Sequence, residues 1–152
     1  AIVISDYDKG YINDDDLWHL CNNFNRPVFV DTKKRRLFHK DNVFWKINKK
    51  EYDLLDKDHL PNASHLIVTL GSAGAMWSGM KFLPQVVKVF DVCGAGDTFM
   101  AALVYEFLKT KNMQKSIDLA NRAAAISVTH PGAYYLNKND IESLYGGGNE
   151  RN

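Results

Sequence analysis

Apolar positions along the chain fall into two spacings, and the switch from one to the other marks out the elements. Ala1 to Ser5 is an almost unbroken apolar run that reads as a buried strand from its first residue, so a further segment is expected to precede it. Leu17, Leu20, Cys21 and Phe24 then recur at i, i+3, i+4 and i+7, one face of a helix. Pro27 to Asp31 and Val43 to Ile47 are further strand candidates, and Asn48 to Leu55 reads as a short helix opening on a polar residue. Leu66 to Leu70 is the clearest central strand, closed by Gly71. From Ala75 to Val89 the turn residues Gly79 and Pro84 separate short extended pieces, as in an antiparallel hairpin at a sheet edge.

In the helix expected from Gly96 to Leu108, one stripe holds Phe99, Leu103 and Phe107 and a second holds Met100, Val104 and Leu108, which predicts a helix buried over most of its circumference. Ile117, Ala120 and Ala124 define the next helix, Pro131-Gly132 ends the following stretch, and Asn139 to Leu144 predicts a last short helix. Apolar runs without alternation are the mark of parallel strands covered on both faces. The expected fold is therefore an α/β, doubly wound, mostly parallel sheet with helices on both faces and right-handed crossovers, over residues 1–145. Residues 146–152, Gly146-Gly147-Gly148 and the polar residues after them, read as a flexible tail.

Composition narrows the function more than the fold. The 152 residues are 45% hydrophobic and 24% charged, enough for a sizeable core, and a net charge of +1 without a long block of either sign argues against nucleic acid or an anionic membrane as partner. A small molecule fits better. Cys21 and Cys93 are far apart and share no metal-ligand spacing with the five His residues, which gives no support to a disulfide scaffold or a structural zinc site. No apolar run reaches the ~20 residues that span a bilayer and no signal-peptide pattern opens the chain, so a cytoplasmic location is expected. Gly74 and Gly79 begin a P-loop spacing, but Met80 stands where that loop needs Lys. Asp6 to Gly10 lacks the later ligands of a calcium loop, Asn62-Ala63-Ser64 matches a glycosylation acceptor only by chance, and the basic run Lys33 to Arg36 reads as a solvated turn.

Ligands of open α/β sheets bind at the carboxyl ends of the strands, and polar or glycine residues follow each apolar run: Asp6, Asp31, Asn48 and Gly71. The richest such segment is Asp91 to Thr98. Gly94 and Gly96 permit backbone conformations and close approach that a side chain would block, and a helix starting there aims unpaired N–H groups at an anion. Asp97, in its first turn, can take a proton from an alcohol beside that anion, or can be no more than a cap or dipole partner.

These residues resemble a known family. Gly94-Ala95-Gly96-Asp97-Thr98 is similar to the second signature of the ribokinase-like (PfkB) carbohydrate kinases. Asn48-Lys49-Lys50-Glu51 resembles their N-x-x-E motif, Thr69 to Gly74 their T-L-G-x-x-G turn, and Asn121 to Ala124 their adenine-side helix. Ser5 to Gly10 and Asp31-Thr32-Lys33 look closest to the heptose-7-phosphate kinase branch, the kinase half of ADP-heptose synthesis, with Asp8 and Thr32 departing from its Gly and Pro and Cys93 standing where many members carry Thr. The resemblance implies that Asp97 is the catalytic base and that the amides of Gly94, Ala95 and Gly96 stabilise charge on a transferred phosphoryl group. It also implies Asn48 and Glu51 near Mg²⁺ and phosphate through water, Thr69, Gly71 and Gly74 lining ATP, and Asn121 near the adenine. Asp6, Lys9 and Lys33 are weaker substrate candidates. Family members are longer, so the resemblance implies the C-terminal, nucleotide-side half alone, weak or inactive by itself and, with a sheet edge bared, homo-oligomeric. Two other readings stay open: a nucleotide-binding or assembly module without turnover, and a vitamin or pyrimidine kinase relative.

Overall fold

A computed structural model describes residues 1–146, in two units, Ala1–Lys81 and the residues from Phe82 onward, each taken by itself below. The first unit is built on strands β1 (Ile2–Asp6), β2 (Val28–Thr32), β3 (Val43–Asn48), β4 (Leu66–Thr69) and β5 (Ala75–Trp77). With β6 (Met80–Phe82), which crosses the boundary between the units, they form one sheet in the order β1-β2-β3-β4-β5-β6. β1 to β4 pair in parallel and β5 runs antiparallel to β4. The β5–β6 turn, Ser78-Gly79, has φ of 49° and 76°, the left-handed pair that a tight hairpin demands.

One sheet face carries Ile4, Val28, Val30, Val43, Trp45, Ile47 and Val68 into a core closed by α1 (Asp14–Asn22), α2 (Lys49–Asp53) and the segment around Leu37. On the opposite face Phe29 and Ile67 are also fully buried, which is why β2 and β4 read as continuous apolar runs. β1 is different: its residues alternate buried and exposed, Val3 lies open, and its outer edge has no strand partner among the described residues. The expected α1 stripe narrows to Leu17 and Cys21, with Leu20 and Phe24 exposed. Asn13 and Asp16 start that helix as a reciprocal capping box. Between β2 and β3 the parallel crossover has no helix. Buried Leu37 and the Trp45 Nε1 bond to the Phe38 carbonyl (3.0 Å) anchor the coil that makes the connection.

The second unit is helical. α3 (Ala95–Thr110) and α4 (Met113–Ser127) pack on each other across a tight turn in which Lys111 is left-handed (φ 53°) and Asn112 caps α4. Contrary to the expectation of a helix buried nearly all round, α3 buries Phe99, Met100, Leu103 and Val104 but leaves Ala101, Tyr105 and Leu108 exposed. α5 (Lys138–Gly146) sets Leu144 against Leu119 and Ala123 of α4. Gly146 thus ends a helix, and the remainder of the expected tail lies outside the described residues. No helix among the described residues is long and apolar enough to cross a membrane.

The two thiols sit in opposite environments. Burial on the inner face of α1 pushes the Cys21 thiol up to about 11, against the opposing pull of Lys40, whereas Cys93 is exposed. Because the thiolate is the reactive form, a disulfide reagent at mildly alkaline pH is expected to titrate one thiol in the native protein and both in denaturant. Two native thiols reacting at similar rates would contradict this placement of Cys21.

Candidate active site

Parallel register brings the carboxyl ends of β1 to β4 to one edge of the first unit, with Asp6 beside Thr32 and Asn48 beside Thr69. Asp6 is buried and its carboxylate is fully engaged: Oδ2 accepts from Thr32 Oγ1 (3.1 Å), Oδ1 accepts from the Asp8 amide (3.0 Å), and Lys34 Nζ lies 3.8 Å away. Lys9 and Lys33 are exposed, Lys33 with its ammonium 4.9 Å from the centre of the Tyr7 ring. The solvated turn expected of Lys33 to Arg36 is interrupted at Lys34, which is only 8% exposed and pairs with Asp14 (3.0 Å), Asp8 (3.4 Å) and Asp6. Burial acts to lower the Lys34 ammonium, but the hydrogen bond and charge of Asp14, with Asp6 and Asp8, outweigh it and hold the group above the usual lysine value. Asp31 is likewise occupied, accepting from buried Lys46 at 2.5 Å. No sequence spacing announced either pair, because each joins neighbouring segments only once the strands lie in register.

Asn48 and Glu51 form a second reciprocal capping box at the start of α2: Asn48 Oδ1 accepts from the Glu51 amide (2.9 Å) and Glu51 Oε2 accepts from the Asn48 amide (2.7 Å). Among the described residues no hydrogen bond reaches the other Glu51 carboxylate oxygen. Oxygen donors on exposed Asn48 and half-buried Glu51 suit Mg²⁺, which keeps several of its waters, and the described residues hold no cluster of three His, Cys, Asp or Glu that would ligate a metal directly. Thr69 Oγ1 donates to the Ile47 carbonyl (3.3 Å). Beyond it Gly71–Ala73 makes one 3-10 turn, closed by the Leu70 amide on the Gly74 carbonyl (2.7 Å).

In the second unit, Gly94 is the residue that precedes α3. Its φ of 74° is left-handed, and a Cβ on it would sit 3.4 Å from both the Cα and the Cβ of Ala133. Glycine supplies no side-chain cap. The Ala95 amide is used in a turn to the Val92 carbonyl (3.2 Å), so of the three amides expected in the cradle it is not open, whereas those of Gly94, Gly96 and Asp97 have no hydrogen-bond partner among the described residues. Asp97 is exposed, and among the described residues its carboxylate neither caps a backbone N–H nor pairs with a cation. It borders a pocket of about 550 Å³ whose walls include Gly94, Thr98, Ala101, Tyr105 and Tyr134. Asn121 is buried in α4, its amide nitrogen donating to the Phe82 carbonyl at 3.2 Å.

Asp91 opens the segment before α3, and its spacing predicts no role for its side chain. Its Oδ1 accepts from the Cys93 amide and its Oδ2 from the Gly132 amide, both at 2.9 Å. The Cys93 bond first, then that of Gly132, holds its carboxyl below the usual range. An Asp two residues before Cys93 signals a local Asx turn; the bond to Gly132 had no signal.

The profile of the pfkB family carbohydrate kinases matches residues 42–140. The bifunctional protein HldE of a Nitratiruptor species is 33% identical over 160 residues, covering 93% of this chain and 35% of its own length. That of Hydrogenovibrio crunogenus is 31% identical, covering 93% and 34%. The chain thus spans about a third of the length of these curated relatives. Among solved structures, ribokinase from Thermotoga maritima superposes with a TM-score of 0.71 at 23% identity over 96% of this chain and 57% of its own. Phosphofructokinase-2 from Escherichia coli gives 0.71 at 18% identity over 95% and 55%. The fold is therefore a partial ribokinase-like α/β fold.

Gly94→Ala forces a Cβ into a left-handed conformation beside Ala133. The expected result is a loss of about 1–2 kcal/mol of stability, read by denaturant unfolding. An unchanged midpoint would show that the left-handed turn before α3 carries no constraint.

Proposed function

The chain belongs to the pfkB family of carbohydrate kinases, and from that premise we propose that it is the nucleotide-side part of an ATP-dependent kinase acting on a hydroxyl of a sugar or sugar phosphate. Asp97 carries this reading. A third-position Asp that existed to cap α3 would spend its carboxylate on the amide of the residue before the helix, as Glu51 does on Asn48 before α2; the Asp97 carboxylate is left accessible beside open amides instead. That is the arrangement phosphoryl transfer requires. A base takes the proton of the attacking hydroxyl while N–H groups at the helix start stabilise the charge on the transferred group.

Within the first unit Asn48 and Glu51 would hold Mg²⁺ through water, and such an ion would supply charge neutralisation at the nucleotide phosphates. Thr69, Gly71 and Gly74 line the nucleotide, and in the second unit Asn121 stands on the adenine side, its carbonyl oxygen without a hydrogen bond among the described residues. The acceptor is a heptose 7-phosphate, on the likeness of Ser5 to Gly10 and Asp31 to Lys33 to that branch. Asp6 contributes by holding the β1 and β2 ends together, since its oxygens are engaged, while Lys9 and Lys33 remain exposed for phosphate. The segment by itself phosphorylates sugar weakly or not at all, because positioning of the acceptor supplies much of the rate. Self-association covers its open β1 edge.

Asp97→Asn keeps the size of the side chain and removes the proton acceptor. In the full translated product, ATP-dependent phosphorylation of a sugar and sugar-phosphate panel should fall by ~10²- to 10⁴-fold with nucleotide affinity retained. Turnover within a few-fold of the parent, with only a lower melting temperature, would make Asp97 a cap and overturn the proposal. An independent check uses the exposed thiol beside the cradle: ATP with Mg²⁺ should slow modification of Cys93, and an unaltered rate at saturating nucleotide would place the phosphates elsewhere.

A further inference from the structure

The two lysines exposed at the rim of the first unit, Lys9 and Lys33, each stand next in sequence to a member of one charge network. Asp8 precedes Lys9 and is held twice: its amide donates to Asp6 Oδ1 (3.0 Å), and its carboxylate accepts from Lys34 Nζ (3.4 Å). Its φ of 53° is left-handed and Gly10 follows at 85°, so the backbone on either side of Lys9 turns in a way that needs restraint from outside the loop. Lys34 follows Lys33. Its amide donates to Thr32 Oγ1 (3.1 Å), and the Lys33 amide donates to the Asp6 carbonyl (3.3 Å). From that seat the Lys34 ammonium reaches Asp14 at the start of α1 (3.0 Å) as well as Asp8 and Asp6, so loop 7–13 is tied to the end of β2 on both of its sides. Asp8 and Thr32, which depart from the Gly and Pro of the heptose-kinase pattern, both belong to this network, Thr32 through its bond to Asp6 Oδ2 (3.1 Å). The two departures are parts of one arrangement.

We propose that Lys34 is a positioning residue for the acceptor, a three-armed ionic hub that anchors loop 7–13 to the end of β2 and so sets Lys9 and Lys33 as a pair of cations for the phosphate of a sugar phosphate; this rests on the kinase reading above. Lys34 itself is not offered to a ligand, being only 8% exposed. Its ammonium carries three N–H donors and a charge that the three aspartates share, and burial keeps water from competing for it. Without that charge Asp6, Asp8 and Asp14 are like charges with nothing between them, and the loop loses its hold on β2. The consequence is confined to the acceptor. None of the hydrogen bonds described at Asn48, Glu51 and Thr69 reaches the network, so the nucleotide groups of this unit keep their geometry when the hub is removed.

The test compares the full translated product with its Lys34→Met variant, which keeps an unbranched side chain and removes the charge. The KM for a sugar phosphate is expected to rise by about tenfold, with the KM for ATP and kcat within a few-fold of the parent, and Lys34→Arg, which keeps the charge, is expected to recover most of the loss. An unchanged acceptor KM, or both KM values rising together, would overturn the proposal and leave the kinase reading intact. Tryptic cleavage after Lys9 in the native protein, identified by mass, reads the anchoring without activity and should be about tenfold faster in Lys34→Met than in the parent. Should that variant fail to fold, Asp14→Asn removes only the 3.0 Å arm, at an exposed carboxylate, and is expected to speed the same cut. An unaltered rate of cleavage would overturn the hub. A parent that phosphorylates no sugar phosphate overturns the kinase reading and the acceptor role with it, and the cleavage rates then tell that failure apart from a failure of the anchoring.

Discussion

A helix must start somewhere, and its first amides must then be bonded or left open. In this protein α1, α2 and α4 start on an asparagine side chain that accepts from one of those amides, and α3 starts on a glycine that cannot. The left-handed Gly94 follows a segment in which Asp91 accepts from the Cys93 and Gly132 amides, and a Cβ on it would meet Ala133 at 3.4 Å. Restraint from a distance replaces a local cap, and the open amides beside Asp97 become available to a ligand.

The strand ends of the first unit show the opposite economy, with polar groups engaged by one another. Asp6 with Thr32, Asp31 with Lys46, and Lys34 with three aspartates all sit at or near the carboxyl edge of the sheet. A lysine as buried as Lys34 is tolerated because its charge is matched; removing any one acceptor would leave a buried cation less well compensated. These residues shape the edge, and the groups left over for a ligand are those at its rim, Glu51, Lys9 and Lys33 among them.

Asn48 and Glu51 show that a motif can have a structural explanation of its own. Their reciprocal bonds account for the spacing of the four-residue motif without any ligand, yet they use only one of the two glutamate oxygens. Asp97 separates the alternatives better. Its carboxylate makes no hydrogen bond or ion pair among the described residues, so its charge at the start of α3 is all it gives to stability.

The order of strands and helices, the continuous apolar runs of β2 and β4, the hairpin at Ser78-Gly79 and the family motifs were legible in the sequence, because each depends on neighbours close along the chain. The face that α3 leaves exposed, the burial of Lys34 and the helix-free connection after β2 were not. They depend on what packs against each segment, and periodicity records only which residues share a face. The Asp91 bond to Gly132 is the sharpest case. Both residues stand in the sequence in plain view, but their meeting is decided by where α4 ends and α3 begins, which is a property of the folded chain alone.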